Sequence, residues 1–405
     1  MAKSDGHKWE FRPRFRRHAF GWKSQPAIAR MKAAVSEIRQ VARTDAILAA
    51  GGAVLFLEKV SGALEHVDGS SGAIGSAVNQ AVSELAAIIA TAPADPATRA
   101  AWLERLFDAH ADDQMPYIET LADHWGELCA SKDVASAWAD RLIGITRMAL
   151  SPDKNLHGYF HGTSACLSAL LAAERYDELI DLVRGDRFWP YKRWAVRALE
   201  AQGRWTEAIA YAQACRTPST APSVDRACEA ILLAAGCSDE AYARYALGAN
   251  RAGTHLAWFR AVTRKYPHRP PAQILADLVA YTPGDEGKWF AAAKDAGLLD
   301  EALALANRAP CDPKTLTRAA RDFAARNPAF AVAAGMAALH WLVQGYGYEI
   351  TGLDVWAAYS RTLEAAARAG DQEATRDRIR ALVAGEQQSG RFVTKILGAT
   401  LGLPP

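Results

Sequence analysis

The sequence predicts an all-α protein in which an N-terminal helical region precedes an α-solenoid of helical hairpins. Three observations lead to this prediction. The period-two alternation of apolar and polar residues that marks half-buried strands is not sustained anywhere along the 405 residues. Residues with β-branched side chains are few beside the Ala, Leu, Arg and Glu that favour helices. A short turn sequence also recurs through the second half of the chain, as a helical repeat requires.

The N-terminal region divides into helices separated by loop compositions. The first helix is predicted to begin near Ser24, with Pro26 in its first turn, where a proline leaves no helical hydrogen bond unmade. One face of this helix is apolar, through Ile28, Met31, Ala34, Val35, Ile38 and Val41. Further helices are expected near residues 45–65, 73–90, 96–111, 115–130 and 133–149. The breaks between them fall in the sequences DGSSG, TAPADP and SPDKN, which are rich in turn-forming residues.

From about residue 160 the pattern changes to short helices in pairs, joined by a recurring turn. Its clear copies are GRWTEA at 203–208, GCSDEA at 236–241 and GLLDEA at 297–302, and its looser copies are ERYDEL at 174–179 and GDQEA at 370–374. A glycine readily adopts the left-handed backbone that ends a helix, and acidic residues suit the positive N-terminus of the next one. The starts lie 29, 33, 61 and 73 residues apart, which is close to one or two periods of a helix–turn–helix repeat.

Two segments around these turns carry a family resemblance. The copies WAVRALEAQGRWTEAIAYAQACR and WFAAAKDAGLLDEALALANRA resemble the first helix, turn and second helix of tetratricopeptide-like repeats. The resemblance covers about residues 160–385 and implies an α-solenoid with TPR, Sel1 or HEAT-like geometry. The segments RRHAFGWKSQPAIARMKAAVSEI and QGYGYEITGLDVWAAY are similar to a group of uncharacterised bacterial proteins, which implies a bacterial origin and no particular chemistry. Stacked hairpins form a curved groove that binds peptides or helices, so we expect a protein partner.

Positive charge is concentrated at the N-terminus. Residues 1–32 hold nine Lys or Arg against two acidic residues, a balance of +7, so residues 33–405 total −5 within the net charge of +2. The first 23 residues interleave arginines with aromatic side chains, a mixture that neutralises phosphates and stacks bases. The nucleic-acid contacts predicted from this pattern are Arg12, Arg14, Arg16, Arg17, Trp9 and Phe15. The alternative is that the aromatic residues pack this arm onto the helical body while its arginines meet acidic surface.

Two histidine patterns are candidates for chemistry. Arg105 and His110 have the R-x4-H spacing inside a predicted helix, and this pair resembles the ribonuclease motif of HEPN helical domains. That resemblance implies that both side chains act on the phosphate and the 2′-hydroxyl group of RNA. His157 and His161 have the i, i+4 spacing of a helical metal pair, although neighbouring glycines weaken a helix there. Chance is the alternative for both pairs, and we expect no metal and no cofactor.

Cysteine spacing and hydropathy bear on the compartment. The six cysteines show no C-x-x-C pair and no disulfide framework, which indicates a reduced environment. No apolar run follows the basic N-terminus closely enough for a signal peptide. The longest apolar stretches, residues 46–57 and 329–343, are shorter than the roughly 20 residues that span a bilayer. We therefore expect a cytoplasmic protein without a membrane segment.

These observations divide the chain into a basic aromatic arm (1–23), an N-terminal helical domain (24–150) and a TPR-like repeat domain (151–405). Three classes of function follow. A non-catalytic protein–protein interaction scaffold or adaptor needs only the repeat region, which is the best-supported feature, and it is the favoured function. The alternatives are a nucleic-acid-associated protein that uses the basic arm, and a HEPN-like helical ribonuclease.

Overall fold

A computed structural model describes residues 7–153, 155, 158–387 and 390–403. Helices occupy most of this part of the chain and none of it forms a β-strand, which confirms the all-α prediction. The chain forms two compact units, Met1–Thr220 and Ala221–Pro405. The boundary between these units lies 70 residues after the domain boundary expected at residue 150.

The first unit contains the helices α1 to α10. Their bounds are Ser24–Ala42 (α1), Ala46–Leu64 (α2), Ala73–Thr91 (α3), Pro96–Ala111 (α4), Trp125–Cys129 (α5), Lys132–Ala149 (α6), Thr163–Ala172 (α7), Tyr176–Val183 (α8), Trp189–Ala201 (α9) and Trp205–Ala214 (α10). Two 3-10 helices, Arg12–Arg14 and Glu119–His124, complete the unit. The helix expected over 115–130 is shorter than predicted, because the Asp113 carboxylate accepts a hydrogen bond from the Ile118 N–H at 2.6 Å and holds a loop there.

One hydrophobic core runs through the first unit. The helix α1 packs on α2 and α3, α2 packs on α4, and α7 packs on α5 and α6. Buried residues from Phe11 in the arm to Trp194 in α9 belong to the same core. The helices after residue 160 therefore share apolar contacts with the N-terminal helices, and the sequence pattern alone did not reveal that.

The second unit contains the helices α11 to α22. Their bounds are Ala221–Ala234 (α11), Ser238–Ala241 (α12), Leu247–Ala249 (α13), His255–Lys265 (α14), Pro271–Tyr281 (α15), Phe290–Asp295 (α16), Leu299–Arg308 (α17), Pro313–Phe323 (α18), Pro328–Val343 (α19), Gly352–Ala369 (α20), Gln372–Ala384 (α21) and Phe392–Leu401 (α22). A π-helix, Tyr242–Ala246, joins α12 to α13, and a 3-10 helix, Glu286–Trp289, precedes α16. Helices here pack mainly on the next helix or the one after it, as α14 does on α15 and α16.

The five recurring turns have one backbone geometry. Gly203 has φ 72°, and the following N–H, of Arg204, donates to the carbonyl of Leu199 five residues earlier at 2.9 Å. The turns at 174, 236, 297 and 370 also have a residue with left-handed backbone at this position, followed by the same five-residue hydrogen bond. This is the Schellman motif, in which the freed carbonyls of a helix end find donors. The predicted turns are therefore confirmed as helix ends, and Glu174 takes the glycine position in the first of them.

Two helices, α2 and α3, are long and apolar enough to cross a membrane when judged by length and composition alone. The core helices of soluble proteins have the same properties. In α2, the side chains of Val54, Phe56 and Leu57 are buried in the core of the first unit.

Candidate functional site

The N-terminal arm is anchored to the first unit by its aromatic side chains. Trp9, Phe11, Phe15 and Phe20 are buried, and the rings of Phe11 and Phe15 pack edge-on against Phe56 of α2 with centroids 5.7 and 5.0 Å away. Burial of a large aromatic ring is among the strongest apolar contributions to a core. The prediction that Trp9 and Phe15 contact nucleic acid was therefore wrong, because neither ring presents a free face to a base.

Hydrogen bonds from backbone N–H groups hold the same arm at two points. The Glu37 carboxylate in α1 accepts from the N–H groups of Glu10 at 2.7 Å and Phe11 at 3.1 Å. At the second point the His18 N–H donates to the carbonyl of Gly62 at 2.9 Å, and His18 has a left-handed φ of 58°. The arginines between these two points are therefore presented on an ordered backbone.

Four arginines meet around an open depression of about 600 Å³, which we call the arginine pocket. It is lined by Pro13, Arg14, Arg16, Arg17, His18, Ala19 and Arg30. Three of these arginines were predicted as nucleic-acid contacts, whereas Arg12 is not part of the lining. Arg30 was missed because it belongs to α1, and only the fold brings that helix beside the arm.

The charge of the pocket is only partly neutralised. Arg14 Nη2 lies 3.8 Å from a carboxylate oxygen of Glu10, and Arg17 Nε lies 3.3 Å from one of Glu65. Arg16 has no ion-pair partner in the described part of the chain. Four guanidinium groups are therefore offset by two carboxylates, which leaves a net charge of +2. Each exposed ion pair of this kind contributes at most about 1 kcal/mol to stability.

Arg30 completes the pocket from the side of α1. Its guanidinium carbon lies 5.3 Å from the centroid of the Phe20 ring, within the range of a cation–π contact. Phe20 is itself buried, so this contact orients Arg30 without neutralising it. A further aromatic residue of the arm, Trp22, is 73% exposed.

The proposed ribonuclease pair is not brought together. Arg105 Nε and Nη2 donate to the two carboxylate oxygens of Glu58, each at 2.6 Å. His110 is buried, and its Nε2 lies 3.3 Å from the carbonyl oxygen of Glu119. Five residues correspond to about 1.4 helical turns, so the two side chains leave α4 in directions roughly 140° apart. Arg105 lines an open depression of about 720 Å³ that His110 does not reach, which contradicts a shared catalytic cleft.

The predicted metal pair is only partly described, since His157 lies outside the described residues. The ring of His161 lies 5.9 Å from that of His110, and its buried Nε2 has no hydrogen-bond partner among the described residues. Burial lowers the pKa of both histidines, which favours neutral imidazoles. Within the ranges that the structure describes, no three His, Cys, Asp or Glu side chains are grouped so that they could hold a metal ion.

In the second unit, α18 and α20 border an open depression of about 360 Å³, the α18–α20 groove. Its charged lining is Lys314, Arg318, Arg321, Arg361 and Asp354. Lys314 Nζ lies 3.7 Å from Asp354, and Arg318 Nη2 donates to the hydroxyl group of Thr315 at 2.9 Å. Lys314, Arg318 and Arg321 are spaced at i, i+4 and i+7, which places them on one face of α18.

No protein-family model matches the chain, and no curated protein and no solved structure is significantly similar to it. The tetratricopeptide-like resemblance therefore stays a prediction.

Proposed function

We propose that this protein is a non-catalytic interaction scaffold, built from stacked helical hairpins, that binds a segment of a partner protein. The observation that carries the proposal is the recurrence of one turn sequence whose five copies all end a helix with a left-handed residue and a five-residue hydrogen bond, a geometry that the helix ends at Gly345 and Gly402 also have. Helices that pack on their nearest and next-nearest neighbours along the chain support the same proposal. A hairpin cannot bury its apolar face alone, and stacking on its neighbours is the arrangement that buries it.

The α18–α20 groove is where we expect the partner segment to bind. Four cationic side chains and one carboxylate line it, so an acidic segment has the complementary charge. Two of the cations are already paired outside the groove, Arg321 with Asp322 and Arg361 with Glu364, both at 2.8 Å. Because these pairs are exposed, they contribute little to stability and a partner carboxylate can replace them.

Affinity purification of the full chain from its native host, followed by mass spectrometry, tests the proposal. The groove variant carries Lys314→Glu, Arg318→Glu and Arg361→Glu. The control variant carries Arg264→Glu, Arg378→Glu and Lys395→Glu, which make the same change of charge at exposed positions outside the groove. We expect a nuclease-resistant protein partner that the control retains and the groove variant loses. Recovery of the same proteins with both variants contradicts the groove, and recovery of nucleic acid alone contradicts the scaffold.

A further inference from the structure

We propose that the arginine pocket of the first unit binds the phosphate backbone of a nucleic acid. This site lies in the first unit, the groove assigned to a protein partner lies in the second, and the inference does not depend on the scaffold proposal. The inference rests on the convergence of four guanidinium groups, on the ordered backbone that presents them, and on their incomplete neutralisation.

The residue type fits phosphate oxygens. A guanidinium group is planar, always charged and carries five N–H donors in a fork that matches two phosphate oxygens at once. Arg14, Arg16, Arg17 and Arg30 all line the pocket, and no acidic side chain belongs to its described lining. Several phosphates of one strand can therefore be contacted together.

The arm presents these groups on an ordered backbone before any ligand arrives. The buried rings of Phe15 and Phe20 bracket Arg16 and Arg17 in sequence, and the His18 N–H is bonded to Gly62. Ordering a flexible basic tail on binding costs conformational entropy, and a backbone that is already fixed avoids much of that cost. This anchoring distinguishes the arm from a disordered basic tail.

Two features favour a nucleic acid over a lipid surface. The apolar residues in the described lining of the pocket are Pro13 and Ala19, and neither is a large side chain that could insert into a bilayer. A strand of nucleic acid, in contrast, can lie across an open depression. The exposed ring of Trp22 in the same arm offers a stacking face that every base can use.

The test measures binding of the full chain to a labelled single-stranded oligonucleotide, to its duplex, and to vesicles that contain an anionic phospholipid. The pocket variant carries R14Q, R16Q and R30Q. The control variant carries R147Q, R184Q and R187Q, which remove the same charge from exposed positions of the same unit outside the pocket. All six side chains are exposed, so both variants are expected to fold, and circular dichroism checks this.

We expect oligonucleotide binding to weaken roughly tenfold or more in the pocket variant and to change little in the control. The slope of log affinity against log salt should also flatten by about 2 to 3, because three arginines are removed and each lost phosphate contact removes about 0.7 to 0.9. Equal weakening in both variants would overturn the site, since binding would then reflect overall charge. Binding to vesicles but not to oligonucleotides, or no binding to either at low salt, would overturn the proposal as well.

Discussion

Glu229 accepts a hydrogen bond from the Tyr266 hydroxyl group at 2.7 Å, although the Glu229 side chain has no exposed surface. Asn250 and Lys265 donate to the same carboxylate, each at 2.6 Å. A buried carboxylate is costly unless its oxygens are partnered, and here three donors from two other segments of the second unit satisfy it. Burial and the neighbouring carboxylate both raise the pKa of Tyr266, so its hydroxyl group remains a donor.

Replacing Tyr266 with Phe is expected to destabilise the second unit by about 1 to 3 kcal/mol. The ring stays, but Glu229 Oε1 loses one of its two donors and keeps only the Asn250 amide, so a buried charged oxygen is less completely hydrogen-bonded. Urea unfolding followed by circular dichroism measures the change. The control is Tyr348→Phe, because that side chain is exposed. Equal unfolding midpoints for both variants would contradict the role given to this hydrogen bond.

Adjacent glycines in α2 provide a matched test of how the arm is anchored. A Cβ atom at Gly52 would overlap the indole ring of Trp9, whereas one at Gly51 meets no atom of the described residues within 4 Å. We expect Gly52→Ala to cost about 1 to 3 kcal/mol through overpacking and to loosen the arm. Gly51→Ala should be neutral or stabilise the helix by up to about 1 kcal/mol.

Limited trypsin digestion measures how firmly the arm is held in these two variants. Loosening should expose the bonds after Arg14, Arg16 and Arg17 to rapid cleavage in Gly52→Ala, while Gly51→Ala is cut at the rate of the unaltered protein. Identical cleavage of both variants would show that Trp9 is not what holds the arm in place.

The first recurring turn contains a residue in a conformation that suits glycine. Glu174 has φ 59° where three other turns have Gly203, Gly236 and Gly297 at φ 72° to 76°. A left-handed backbone costs a residue with a Cβ about 1 to 2 kcal/mol, and glycine avoids that cost.

We therefore expect Glu174→Gly to be more stable than Glu174→Ala by about 1 kcal/mol. Both substitutions remove the exposed ion pair with Lys132, so their difference isolates the backbone. Conversely, Gly203→Ala should lower the melting temperature, while Gly185→Ala should not, because Gly185 is not left-handed and has open space at its Cβ. A Glu174→Ala variant as stable as Glu174→Gly would show that the turn bears no strain.

The features that the sequence predicted correctly depend on residues that lie close together in the chain. The helix beginning at Ser24, its buried apolar face and the glycine turns follow from residue spacing within one or two helical turns. A left-handed turn needs only the right residue between two short helices, so its sequence pattern is visible without knowledge of the fold.

What the sequence did not predict depends on residues far apart in the chain. The arm shows alternating arginines and aromatic rings, but burial of Trp9 is decided by Gly52, more than 40 residues later. Arg30 joins the arginine pocket because α1 lies beside the arm. The R-x4-H motif misled for a different reason. Its five-residue spacing is visible in the sequence, and in a helix that spacing already points the side chains of Arg105 and His110 in different directions.

The buried histidine predicts how stability depends on pH. Burial lowers the pKa of His110 below 6.5, while the neighbouring Glu119 carbonyl opposes the shift. The unfolded chain takes up this proton near pH 6.5 and the folded protein only at lower pH, so between the two values the unfolded state binds more protons. Stability is therefore expected to fall as the pH drops from 7.5 through 6.5 towards the lowered pKa. Carboxyl groups such as Asp95, whose pKa is lowered below 3.8, contribute only at more acid pH.

Melting temperatures measured between pH 7.5 and 5.5 test this expectation. His110→Gln should reduce the fall, because the amide can still donate to the Glu119 carbonyl and takes up no proton. Some fall should remain, since burial also lowers the pKa of His161. If the melting temperatures of His110→Gln and of the unaltered protein fall by the same number of degrees over this pH range, burial of His110 does not hinder its protonation in the folded state.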